Sequence, residues 1–148
     1  VSQNNIIMTT KICNAICFLT GLGLLFIGIR FFLVPVSAET NYGLQLDTHG
    51  DFSFHYIKGI RDCFSGALVL LLLLMKERRA LGIALLAASI IPVTDMLIVL
   101  SKSYNSFSLA IPHLIAVLIC IIVGPLLLFR RCCSLPKGSS KKEGLTSY

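Results

Sequence analysis

Charge is scarce in this chain, and tryptophan is absent. Only 14% of its 148 residues are charged, against about a quarter in an ordinary soluble domain. That deficit excludes a solvated surface around most of the chain. The 55% hydrophobic content and the mean hydropathy of +0.85 exceed what a soluble core of this length needs, so lipid must cover the remainder. Without tryptophan, anchoring at a membrane surface falls to Phe and Tyr. A C-x-x-C pair is also missing, as is any His pair at ligand spacing. These absences argue against a thiol-redox centre and a metal site. The six cysteines lie within or beside apolar runs (Cys13, Cys17, Cys63, Cys120) or directly after the last one (Cys132, Cys133), where plain apolar packing accounts for them. The formal charge of +6 is not a nucleic-acid signal, because the basic residues flank apolar runs as membrane-bordering charges do.

What the sequence does have is four apolar runs, at about 12–34, 57–75, 80–100 and 109–129. Each is close to the ~20 residues that a helix needs to cross ~30 Å of hydrocarbon. Backbone groups cannot be left bare in lipid, which favours helices. The fold expected is all-α: a four-helix transmembrane bundle, antiparallel, with a long outer loop between helices 1 and 2. Residues 1–11 would form a short cytoplasmic N-terminus, 12–129 the membrane domain, and 130–148 a basic disordered tail. The first run could serve as a cleaved leader ending at "VSA" (36–38). It is longer than the usual apolar stretch of a leader and carries Arg30, so a spanning helix is the better reading.

Orientation follows from Lys and Arg. With four spans, Lys11, the 76–79 turn with Lys76, Arg78 and Arg79, and the tail with Arg130, Arg131, Lys137, Lys141 and Lys142 share one side. Arg30, Lys58, Arg61 and Lys102 lie toward the other. Both termini are therefore expected in the cytoplasm. The segment 35–56 is longer than most structureless connections and acidic, with Glu39, Asp47 and Asp51, and would cover the outer end.

The intramembrane polar groups carry the functional argument. Arg30 lies near the outer end of helix 1, Arg61 and Asp62 one turn inside helix 2, Asp95 near the outer end of helix 3, and His113 one turn into helix 4. At 1.5 Å per residue all arrive at one level, roughly 5–8 Å below the outer boundary. A lone charge in lipid costs roughly 2.5–3.5 kcal/mol on insertion scales, so opposite charges should gather inside the bundle. Arg61 and Asp62 point about 100° apart on a helix. The expected pairs are therefore Arg61 with Asp95, and Asp62 with Arg30 or His113. Lys58, and alternatively Arg30, would snorkel to the interface. Small residues, among them Gly21 and Gly28 in helix 1 and Gly59, Cys63 and Gly66 in helix 2, fall on single faces that permit close approach. Pro92 cannot donate to the Ala88 carbonyl and should kink helix 3 beside the cluster.

An Arg and a Pro closing the first run are followed by "SAETNYGL", "GIRDCFSG", a basic turn before "ALG", "IPVTDMLIVL" and an early His in the fourth run. This order resembles a family of small four-helix membrane proteins known only as a domain of unknown function, DoxX-like in arrangement. The resemblance covers about 20–128. It implies that Arg61, Asp62, Asp95 and His113 belong to the shared pattern, and it brings no reaction or cofactor.

The leading functional expectation is a site for a lipid-soluble or amphipathic small molecule, such as a quinone, sterol or isoprenoid. It would be formed by Arg61, Asp62, Asp95, His113 and Arg30, with Glu39 contributed by the covering segment. Should a reaction occur, Asp95 or His113 is the candidate acid or base. The alternative is a non-enzymatic membrane component that joins a partner or forms a homo-oligomer, with the cluster as internal glue. Proton passage is disfavoured, since the inner halves of the runs lack charged groups. Neither nucleic acid nor a metal is expected as a partner. The topology is testable: a glycosylation acceptor inserted within 35–56 should be modified in microsomes, while reporters fused to either terminus stay cytoplasmic. Modification at a terminus refutes it.

Overall fold

The structure, a computed structural model, describes residues 3–46 and 49–129. The expected basic tail, with Arg130, Arg131 and Cys132–Cys133, and the loop residue Asp47 lie outside the described residues. Within them the fold is helical, with no strand. The elements are α1 (Gln3–Leu33), α2 (Pro35–Tyr42), α3 (Ser53–Leu74), α4 (Arg78–Ala88), α5 (Ile90–Ser101), a 3-10 turn (Phe107–Ala110) and α6 (Ile111–Phe129).

Three segments are long and apolar enough to cross a membrane: Met8–Leu33, Arg78–Ser101 and Phe107–Phe129. α3, at 22 residues, is long enough, but its Lys58, Arg61 and Asp62 set it apart from those three in composition. Large apolar side chains point outward along the helices, Leu19, Ile57, Phe64 and Phe129 among them. Such an exterior suits acyl chains and not water, so the chain is a membrane protein by the length and composition of its helices.

Helix ends follow local chemistry. α1 starts earlier than the apolar run suggested because no Pro or Gly interrupts Gln3–Ile12. It stops where Val34 leaves the helical region ahead of Pro35. Pro35 then opens α2, as suits a residue with no amide hydrogen to give. α2 corrects the expectation of a structureless covering loop: residues 35–42 are helical. It ends in a Schellman motif, the Leu44 amide donating to the Glu39 carbonyl (3.2 Å) and the Gly43 amide to that of Thr40 (3.1 Å). Gly43 sits at φ +90°, where a side chain would be strained and would also crowd Val99. At the start of α3, Asp51 Oδ1 accepts from the Ser53 amide (2.9 Å) and hydroxyl (2.6 Å), which hold its carboxyl below the usual range.

The third expected helix is divided at Ser89 into α4 and α5. Pro92 offers no amide to Ala88 and its ring crowds that carbonyl. Ser89 turns back instead, both its amide (3.3 Å) and its hydroxyl (2.7 Å) donating to the Leu86 carbonyl. By contrast Pro125 is carried inside α6.

Cys13, Cys17, Val69, Leu81, Leu85, Cys120, Val123 and Leu127 form a buried apolar core. α1 and α3 touch backbone to backbone. A Cβ on Gly28 would lie 2.5 Å from Cys63 Sγ and 2.7 Å from the Gly59 carbonyl oxygen. One on Gly66 would lie 2.7 Å from the Gly21 carbonyl oxygen. Gly23, on the same helix, faces open space. Gly28→Val should therefore lower stability by about 1–3 kcal/mol or more through overpacking. Gly23→Ala should be neutral or stabilising by up to about 1 kcal/mol. Thermal unfolding in detergent reads both, and equal effects would contradict the close contact.

Candidate functional site

Of the expected polar side chains, Arg61, Asp62 and Asp95 come together around α3. Arg61 Nη2 donates to Asp95 Oδ2 across to α5 at 3.0 Å, the pairing that the sequence suggested. The other pairings differ. Asp62 takes neither Arg30 nor His113; Lys58 Nζ donates to its Oδ2 at 2.7 Å. Arg61 also reaches Asp62, Nε to Oδ1 at 3.4 Å, although the two are sequence neighbours. The long guanidinium spans the angular gap that the backbone directions impose. Asp62 and Asp95 are thus joined through Arg61 in one chain of contacts, with Lys58 at its end.

Lys58 does not snorkel. It is only 5% exposed, with Nζ 4.0 Å from the centroid of the Tyr42 ring and 5.0 Å from that of Phe31. Two aromatic faces and a carboxylate replace its hydration shell. The i,i+4 spacing to Asp62 was a readable signal. It was overridden because Lys58 stands at the edge of the apolar run, where a lysine usually reaches for water. Arg30, in contrast, stays at the rim, half-exposed, with Nη2 donating to Ser37 Oγ at 3.3 Å.

Glu39 is buried, but away from the Arg61 network. Its Oε2 lies 2.6 Å from His55 Nε2, and its Oε1 accepts from the Leu46 amide. Against a carboxylate oxygen, His55 Nε2 is the donor of this contact. Its Nδ1 is buried without a hydrogen-bond partner, inside a cage of the Phe31, Phe52 and Phe54 rings. This pair ties α2 to the start of α3. The sequence reading missed His55, whose position before the expected helix gave no hint of burial.

The other residue it missed is Tyr42. The Asn105 side-chain amide donates both to the Gly43 carbonyl (2.7 Å) and to that of Val99 (2.8 Å), fixing the end of α2 against the end of α5. This clamp sets the Tyr42 ring over Lys58 and edge-on to the His113 ring, centroids 4.6 Å apart. The Tyr42 hydroxyl is buried beside Asp95 and Arg61. Burial first, and then the neighbouring Asp95 carboxylate, push its pKa well above the usual tyrosine value, so it stays a donor at physiological pH.

Two cavities meet at these side chains. One, of about 330 Å³, has Arg30, Tyr42, Lys58, Asp62, Asp95 and His113 toward one end, and is lined with apolar side chains such as Leu24, Val69 and Leu85 below them. From Thr20 to Arg30 along α1 its wall extends about 15 Å. The second, of about 490 Å³, lies beneath the α2–α3 segment and is lined by Arg61, Thr94 and Tyr104. Tyr42, Lys58, Ile91 and Asp95 belong to both walls. Among the described residues, no three His, Cys, Asp or Glu side chains converge as a bound metal ion would require.

The network should respond asymmetrically to mutation. Lys58→Met leaves Asp62 with a weaker partner in a buried setting and should cost about 3–5 kcal/mol, whereas Lys58→Met combined with Asp62→Leu should recover much of that loss. A double-mutant cycle by chemical unfolding in detergent measures the coupling. Additive effects would show that the pair is solvated and not buried.

The pattern of the family described as Domain of unknown function (DUF4267) matches residues 21–127. No curated protein and no solved structure matches the chain. The match takes in α1 from Gly21, the covering segment, the charged network and all but the last residues of α6, and the chain belongs to this family.

Proposed function

We propose that the chain is a four-span antiparallel bundle, both termini cytoplasmic, that binds a lipid-soluble or amphipathic small molecule between its helices. The observation that carries this reading is the cavity of about 330 Å³ with an apolar body and a polar end. Its volume is about twice that of a cavity known to take benzene and falls at the lower end of small-molecule sites. α3 counts as the fourth span because its three charges are engaged with protein: Lys58 with Asp62, and Arg61 with Asp62 and Asp95. The antiparallel arrangement is supported by the close contacts, Gly21 meeting Gly66 while Gly28 meets Gly59, and Gly82 meeting Gly124. Arg61, Asp62, Asp95 and His113 form the polar end, Arg30 stands at its rim, and Glu39 holds the covering helix in place. Asp95 and His113 are the groups placed to exchange a proton with a bound molecule.

A second reading has one specific observation in its favour. Every charge in the network is already met by another protein charge, as internal glue for a structural or partner-binding component would be.

The two readings separate on one experiment. Protein purified in native lipid should retain an apolar small molecule in near-stoichiometric amount by mass spectrometry. Ala116→Phe, which fills the cavity wall, should abolish retention while the protein still melts cooperatively. Retention unaffected by that substitution, or only bulk lipid in both samples, overturns the binding role and leaves the structural one.

A further inference from the structure

Two cations line the inner cavity, Lys58 and Arg30. Lys58 is committed to Asp62, and Arg61 to Asp95 and Asp62. A ligand that drew one of these groups away would leave a shielded, unpaired charge behind, which is costly. Arg30 differs. Among the described residues it meets no carboxylate: its Nη2 donates to Ser37 Oγ at 3.3 Å, and its Cζ stands 6.0 Å from the centroid of the Phe26 ring. A guanidinium carries five N–H donors, so the serine leaves most of them unused. The side chain is half-exposed, and those donors are open to a molecule at the cavity rim. The two cations of α3 are thus set against Asp62 and Asp95, and Arg30 gives the site one positive charge over. Asn41, one turn beyond Ser37 on α2, brings a neutral amide to the same wall. From there toward Thr20 the lining is mainly apolar, with Leu24, Val69 and Leu85.

We propose that the ligand is a single-chain carboxylate amphiphile, an anion of the fatty-acid type. Its carboxylate sits on the Arg30 guanidinium at the rim, within reach of Asn41, and its chain lies along Leu24, Val69 and Leu85. This rests on the binding role proposed above and narrows it to a chemical class. The planar fork of an arginine takes a carboxylate by two parallel hydrogen bonds. One unmatched positive charge suits one negative charge, whereas a phosphate monoester brings nearly two at neutral pH. A volume of about 330 Å³ lies at the lower end of small-molecule sites and suits one hydrocarbon chain in place of a two-chain lipid.

The test uses the full chain in nanodiscs of zwitterionic lipid and four probes with the same tail: myristate, tetradecanol, tetradecyl phosphate and tetradecylammonium. Ala116→Phe defines binding in the cavity. Myristate should bind at least about tenfold more tightly than tetradecanol, and more tightly than the other two probes. Arg30→Gln should weaken myristate by about tenfold and change tetradecanol by less than about twofold. Arg30→Lys, which keeps the charge and loses the fork, should fall between. Should Arg30→Gln fail to fold, the ranking of the four probes on the unmodified protein decides alone. Tetradecanol equal to myristate, or a preference for myristate that survives Arg30→Gln, overturns the anion while the binding role stands. Tetradecyl phosphate as the tightest probe overturns the carboxylate. Myristate binding that responds to Arg30→Gln and not to Ala116→Phe also overturns the proposal, because Arg30 then meets only headgroups outside the cavity. If no probe binds at a place sensitive to Ala116→Phe, the binding role falls and the carboxylate with it.

Discussion

Charged side chains inside an apolar layer must find one another, and the rest of this structure is arranged around that requirement. Lys58, Asp62, Arg61 and Asp95 form a run of contacts from 2.7 to 3.4 Å that joins α3 to α5. In water such pairs add little. Where such groups are shut away from water the alternative is a solitary buried ion, and here each is met by an opposite charge. The break at Ser89 contributes, because it lets α5 take its own direction and bring Asp95 to Arg61.

A short helix completes the site from the outside. Pro35 starts it, Gly43 ends it in a left-handed conformation, and Asn105 fixes that end to the carbonyl of Val99. Through these backbone features Tyr42 comes to lie over Lys58 and against His113. Glu39, three residues earlier on the same turn of helix, holds His55. The short helix is thus held by side chains of α1, α3 and α6, and its Tyr42 lines both cavities. His55 Nδ1, buried at this end without a hydrogen-bond partner, is surrounded by aromatic rings.

Much of this was readable before the coordinates. The apolar runs located the helices; Pro92 announced the interruption of the third; Arg61 and Asp95 declared themselves partners by sign and depth. Gly21, Gly28, Gly59 and Gly66 fell on faces that are in contact. The failures have physical causes. Helical periodicity fixes the direction in which a side chain leaves the backbone, not where a long one ends, so the Arg61–Asp62 contact was ruled out too early. Lys58 was assigned by its place at the edge of a run, and the aromatic rings that shelter it come from residues distant in sequence. α2 lies in a polar stretch with no apolar face long enough to mark it.

The sequence by itself determined that this is a helical membrane protein, because the length and hydropathy of its apolar runs are properties of local composition. Which charge meets which, and that Tyr42 closes over them, was decided only by the tertiary structure. Those outcomes depend on how α2 is pinned to α5 and on how closely α1 and α3 approach, and contacts between segments far apart in the chain set both.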